Sequence, residues 1–171
     1  MMKKLTIANR CAKIMLLISS AVLLSIVFAD NILAYDINFE YIQHIMSMDT
    51  TLKHPMLHWR AVHNPFIYHA CFILIIFFEG GSSVLLWMGA YHLIKKIHAS
   101  PSDFQSAKSW SLLGLLLALI LYSFIFFTIA SQWFASWQSS LWNAKNAALP
   151  FIILLGFNYL ILAKEDESGS R

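Results

Sequence analysis

The sequence has little charge. Only 12% of its residues are Asp, Glu, Lys or Arg, against roughly 25% in an ordinary soluble domain, and that excludes a chain built to face water on all sides. Cysteine is scarce: Cys11 and Cys71 are the two copies. Each lies near the start of its apolar block, and successive spans of opposite direction put those starts near opposite membrane faces, beyond the reach of a disulfide. Alternating segments of about 10 residues, which a membrane barrel requires, are missing. There is no Gly-rich phosphate loop, no paired catalytic carboxylates, no hydrolase triad and no CxxC. That weakens any enzyme reading and leads us to expect no cofactor. No internal repeat or low-complexity tract divides the 171 residues, so a single domain is expected.

Apolar residues make up 58% of the chain. They lie in four blocks, at about 12–33, 66–94, 110–132 and 147–163. Continuous apolar runs of roughly 20 residues suit the hydrocarbon layer, where only helices or closed barrels satisfy their own backbone. The expectation is all-α: a polytopic membrane protein, residues 1–171, forming a four-transmembrane-helix bundle in contact with the lipid bilayer. The basic leader and first block also resemble a signal peptide, with Val27-Phe28-Ala29 as its cleavage site. The apolar run continues through Ile32, Leu33 and Ala34, so a retained span is expected.

The net charge of +3 is not a nucleic-acid footprint. Nine Lys and Arg lie before span one, between spans two and three, or after span four; three (Lys53, Arg60, Lys145) lie in the other two connections. The positive-inside rule then puts both termini, and the charged, frayed tail 164–171, in the cytoplasm. The loop 35–65 falls outside, which in a bacterium is the periplasmic side of the inner membrane.

In that loop Phe39, Ile42, Ile45 and Met46 recur at helical spacing, predicting a short amphipathic periplasmic helix. Ser47, Asp49, Thr50 and Thr51 break it, because their side chains compete for backbone hydrogen bonds. Pro55 is placed to open a second helix over 56–62, and Asn64-Pro65 to start span two. Ser100 to Asp103 reads as another helix start. Trp110, Trp133, Trp137 and Trp142 mark interfaces, and Pro150 is expected in the first turn of span four.

Glu79 is the residue most out of place. His69 and His92 bracket the apolar part of span two, which puts Glu79 near the bilayer centre. A charge there costs about 2.5–3.5 kcal/mol on insertion scales, so the side chain should face the bundle interior and be paired, or be protonated by desolvation. Asn158, Tyr122 and Ser123 sit at matching depth on the other spans, and a cluster with Glu79 is expected. It would serve either as a proton or cation site or as a structural hydrogen bond. Gly80 and Gly81 are read as close-packing positions rather than a hinge. In the outer loop His44, Ser47, Asp49, Thr50, Thr51, Arg60 and His69 are candidate functional residues. His54, His58 and His63 are weak metal candidates without a recognised ligand spacing. Hydrogen-bonding roles for these histidines are expected instead. Haem between helices would need histidines at matching depth on two spans, and spans one, three and four contain none. Arg60 is expected to pair with Asp49 or Asp36 and tie the loop down.

The run Asn31, Tyr35-Asp36, Asn38-Phe39, then His44, Ser47-Met48-Asp49-Thr50-Thr51, Trp59-Arg60-Ala61 and Glu79 resembles the DUF2165 family of predicted small integral membrane proteins. The resemblance covers residues 30 to about 93; spans three and four match it only in being apolar. Leu52 stands where the family pattern has Phe. The resemblance implies a four-helix inner-membrane protein of this length and assigns it no activity.

The function expected first is an accessory or assembly subunit of a larger membrane complex, working with a membrane-protein partner or as a homo-oligomer. The alternative is an oligomeric transporter or proton-coupled component using Glu79. A further alternative is a periplasm-facing metal site or enzyme using the loop His and Asp side chains.

Overall fold

The computed structural model describes residues 2–166. The fraying expected for 164–171 does not extend to its first residues, because Arg10 holds Asp166 and two lysines hold the Lys164 carbonyl; residues 167–171 lie outside the described range. Among the described residues seven α-helices follow in order: α1 (Met2–Leu33), α2 (Tyr35–Ser47), α3 (Pro55–His58), α4 (Pro65–Lys95), α5 (Pro101–Ser106), α6 (Ser109–Ile120) and α7 (Ala144–Ala163). Helix α6 runs on as a π-helix, Leu121–Trp133. Four segments are long and apolar enough to cross a membrane: Leu5–Leu33, Pro65–Lys95, Pro101–Trp133 and Ala144–Ala163. No strand occurs among the described residues. The architecture is therefore an all-α polytopic bundle. α1 lies against α4, α4 against α6, α7 against α6 and its π continuation, and α1 closes on α7.

Local chemistry sets the helix ends. Asn64 accepts from the Phe66 N–H at 2.9 Å, with Pro65 at the first helical position, where a missing N–H costs nothing. Ser100 caps α5 through Asp103 N at 3.2 Å. Two expectations need correction. The helix at Pro55 is a single turn ending at His58, not a segment reaching 62. Pro150 lies inside α7 rather than in its first turn, because Asn143 caps the helix earlier by accepting from Asn146 N at 3.1 Å.

At the end where α1 begins and α7 finishes, three cations are buried: Arg10 at 3% exposure, Lys13 at 9% and Lys108 at 0%. Arg10 Nε donates to Asp166 at 2.7 Å, and its Nη1 donates to the carbonyls of Ile97 at 2.7 Å and Ala99 at 2.8 Å. Its guanidinium lies 4.5 Å from the Phe104 ring centre. Lys13 and Lys108 both donate to the Lys164 carbonyl, at 3.0 and 2.8 Å. One guanidinium thus ties α1, the α4–α5 connection, α5 and the segment after α7. The charge bias along the sequence marks these residues only as flanking positives; their burial is a tertiary result.

Both thiols are free. Of the two glycines expected to allow close packing, only Gly80 is tight: a Cβ there would lie 2.7 Å from the Phe28 ring. At Gly81 the nearest atom would be 3.7 Å away, an ordinary contact. The α4–α6 approach rests instead on Gly89, where a Cβ would meet the Ser111 backbone nitrogen at 2.7 Å, and on Gly114, where it would meet Leu86 at 2.9 Å. Gly89→Ala should cost about 1–3 kcal/mol by overpacking against immovable backbone, while Gly81→Ala should be neutral in a thermal-unfolding comparison. Equal behaviour of the two would contradict this helix register. Arg10→Gln should destabilise by roughly 2 kcal/mol or more by leaving Asp166 and two carbonyls without their donor; an unchanged Tm would show that the clamp carries no stability.

Candidate functional site: a carboxylate in an aromatic cavity

Glu79 is 2% exposed in the middle of α4. Asn31 Nδ2 donates to Oε2 at 2.6 Å, and the Tyr122 hydroxyl donates to Oε1 at 3.3 Å. Both partners are neutral. Among the described residues no Lys, Arg or His forms an ion pair with this carboxylate. Each contact follows from local structure. Gly80 lets Phe28 sit against the α4 backbone, which brings the last turn of α1 close enough for Asn31 to reach Glu79. Tyr122 is the second residue of the π-helix, a geometry that often accompanies functional sites. The wider turn is visible in Phe134 N donating to Ile129 O at 3.1 Å and Thr128 Oγ1 to Ser123 O at 2.9 Å, both five residues back. Tyr122 stacks on Phe151 of α7, with ring centres 4.2 Å apart and planes 12° from parallel.

Glu79 opens onto a cavity of about 210 Å³ between α1, α2, α4, the π-helix and α7. Its walls include the rings of Tyr41, Phe72, Tyr122, Phe126 and Phe151. Tyr41 comes from the amphipathic loop helix, and its hydroxyl is buried with no hydrogen-bond partner. Burial pushes this phenol up to about 12, so it stays neutral across the physiological range. The cavity therefore presents one carboxylate, neutral polar groups and aromatic faces.

The expected cluster forms in part. Tyr122 joins Glu79, whereas Asn158 does not: it donates to Ser20 Oγ at 2.8 Å and to the Leu16 carbonyl at 3.1 Å, tying α7 to α1 nearer the terminal end. Ser123 is half-buried beside Tyr122. Asn31, the shortest contact to Glu79, was not expected there, because it lies at the outer end of span one and not at the depth assigned to Glu79. Within the bundle Glu79 is not equidistant from the two ends. Tyr122 stacks on Phe151, which lies about 10 Å of helix from Ala144 and about 18 Å from Ala163 at 1.5 Å per residue. Glu79 is thus nearer the end bearing the α1–α4 connection. The reason is length: α4 has 31 residues and α7 has 20, so the midpoint of α4 is not that of the bundle.

The loop residues form a clasp over this end. His44 Nδ1 bonds Asp49 at 2.6 Å and its ring stacks 4.5 Å from Trp142. Thr50 Oγ1 donates to Ser139 Oγ at 3.0 Å, and Leu52 N to Gln138 at 2.8 Å. Ser47 Oγ donates to the His44 carbonyl at 3.4 Å and Thr51 Oγ1 to the Met48 carbonyl at 2.8 Å. They close the turn around Met48, which is fully buried with φ of 53°. His69 bonds the Tyr35 hydroxyl at 2.8 Å and stacks on Phe39 at 4.1 Å. His54 accepts from Met56 N at 3.3 Å, His58 Nδ1 is buried without a partner, and His63 is exposed. Among the described residues no three His, Cys, Asp or Glu side chains come together as a metal site would require. Arg60 does not pair with Asp49 or Asp36. Asp49 is taken by His44, and the Arg60 guanidinium lies 4.6 Å from the Trp133 ring centre.

The comparison with protein families agrees with this architecture. A family model described as a predicted small integral membrane protein, DUF2165, matches residues 9–165. No curated protein and no solved structure matches the chain. The match spans the four apolar helices, the clasp and Glu79 together, and the chain belongs to the DUF2165 family of small integral membrane proteins.

Proposed function

We propose that the chain binds small organic cations in the Glu79 cavity, as the ligand-binding component of a membrane transport unit. The observation that carries this reading is a carboxylate buried among aromatic faces with only neutral hydrogen-bond partners. Burying a carboxylate without a counter-charge costs several kcal/mol, a cost that either a proton or an organic cation in the cavity would relieve. Aromatic faces attract cations by about 2 kcal/mol or more when desolvated. An alkylammonium satisfies both demands, whereas a hydrated metal ion would lack further anionic ligands. Cation entry from the side carrying the clasp fits the position of Glu79. The charge bias of the sequence supports placing that side outside a bacterial inner membrane, with both termini in the cytoplasm. Four spans would reach a continuous pathway through association of copies.

A second reading, an accessory subunit of a larger complex, draws on apolar side chains displayed beyond the spans. Leu52 is 72% exposed and Leu141 78%, and both lie in the connections at the clasp end. Purification in a mild detergent with no second protein at stoichiometric amount would count against this reading.

Calorimetric titration in phosphatidylcholine nanodiscs tests the first. Tetramethylammonium should bind wild type, and Glu79→Gln should weaken it about tenfold or more, a loss of about 1.4 kcal/mol. Equal affinity of the two proteins sinks the proposal. Tyr41→Phe should leave stability nearly unchanged, because its hydroxyl has no partner to lose. It should weaken methylammonium, which can donate to that oxygen, more than tetramethylammonium, which cannot. Identical losses for both ligands would remove Tyr41 from the site.

A further inference from the structure

Arg60 is a cation without an anion. Its Nη1 donates to the Trp133 carbonyl at 3.3 Å, and its Nε is buried with no partner. Among the described residues no carboxylate pairs with it. The guanidinium packs against a pair of indoles, 4.6 Å from the Trp133 ring centre and 5.8 Å from that of Trp59. The two rings meet edge to face, 5.8 Å apart at 83°, and the Trp59 N–H is fixed on the Met56 carbonyl at 3.1 Å. Aromatic packing therefore holds the charge in place while most of its five N–H donors stay uncommitted.

The position matters as much as the charge. Trp133 ends the third apolar span, and Trp59 and Trp133 are 69% and 46% exposed. Exposed tryptophans at a span end sit at the headgroup level of a bilayer. Arg60 opens onto a surface groove shared with Thr128, Ile129, Gln132 and Trp133. The Thr128 hydroxyl is spent on the Ser123 carbonyl. That leaves Arg60 and the exposed Gln132 amide to meet an anion, while Ile129 and Trp133 offer an apolar wall beside it.

We propose that Arg60, packed against Trp59 and Trp133 and assisted by Gln132, binds the phosphodiester of a membrane phospholipid, with the lipid's glycerol and upper acyl carbons along Ile129 and Trp133. Planar guanidinium donors match phosphate oxygens two at a time. The apolar wall at headgroup depth selects a lipid over free phosphate. Lipid bound there bridges α3 and the π-helix that carries Tyr122, and this site is independent of the cation reading.

The test uses the full chain in mild detergent, delipidated, with phosphatidylglycerol, phosphatidylcholine, diacylglycerol or inorganic phosphate added. Tm and native mass spectrometry are the readouts. Both phospholipids should raise Tm above the diacylglycerol value and leave a bound lipid in the spectrum. Arg60→Gln should lower the bound fraction about tenfold, and Arg60→Lys should fall between, since an ammonium lacks the planar fork. Diacylglycerol matching the phospholipids, or Arg60→Gln retaining lipid, overturns the site. Inorganic phosphate matching the phospholipids overturns its assignment to lipid. If Arg60→Gln fails to fold, the wild-type comparison of phospholipid with diacylglycerol decides alone.

Discussion

A carboxylate buried in an apolar helix must be solvated by the protein itself, and the upper half of this bundle is arranged around that requirement. Two donors reach Glu79, one from each neighbouring wall. Asn31 comes from α1 because Gly80 admits Phe28 against α4. Tyr122 comes from the third span where α-helix gives way to π-helix. Neither donor carries charge, and the carboxyl group also faces a cavity whose remaining walls are aromatic. A polar lock between helices would need only the two donors, whereas the proposed cation site draws on the cavity as well.

The opposite end has the reverse electrostatics and a different task. Arg10, Lys13 and Lys108 are buried there, and they donate to the Ile97 and Ala99 carbonyls of the α4–α5 connection, to the Lys164 carbonyl and to Asp166. Carbonyls at helix C-termini carry the negative end of the helix dipole, so Lys13 and Lys108 are well placed against the end of α7. The polar network at this end fastens all four spans. The network at the other end, from Thr50 to Ser139 and from Leu52 to Gln138, fastens the loop helix over the cavity. Between them the packing is set by small residues, Gly89 and Gly114 above all.

The four spans and the loop helix were legible in the sequence because hydropathy and helical spacing are local properties. Ile42, Ile45 and Met46 are buried in α2 as their spacing requires. Glu79 was legible as an anomaly, since a carboxylate in an apolar run stands out in any context. Its partners were not. Asn158 and Asn31 look equally suitable in a list of polar residues, and the choice between them depends on how far each helix extends past its neighbours. Arg60 shows the same limit. Charge alone suggested Asp49, but the turn around Met48 gives Asp49 to His44 and leaves Arg60 to the indoles. The π-helix had no sequence signal beyond its aromatic content.

A cation site at Glu79, as proposed, differs from a lock in that a bound cation must perturb the carboxyl group. Infrared difference spectroscopy of the reconstituted protein, with and without tetramethylammonium, addresses it directly. The account predicts a change in the carboxyl stretching region on adding the cation, absent from Glu79→Gln and unaltered in Asn158→Ala. A spectrum in which tetramethylammonium leaves the Glu79 band unmoved would contradict it and make the carboxylate a structural hydrogen-bond acceptor.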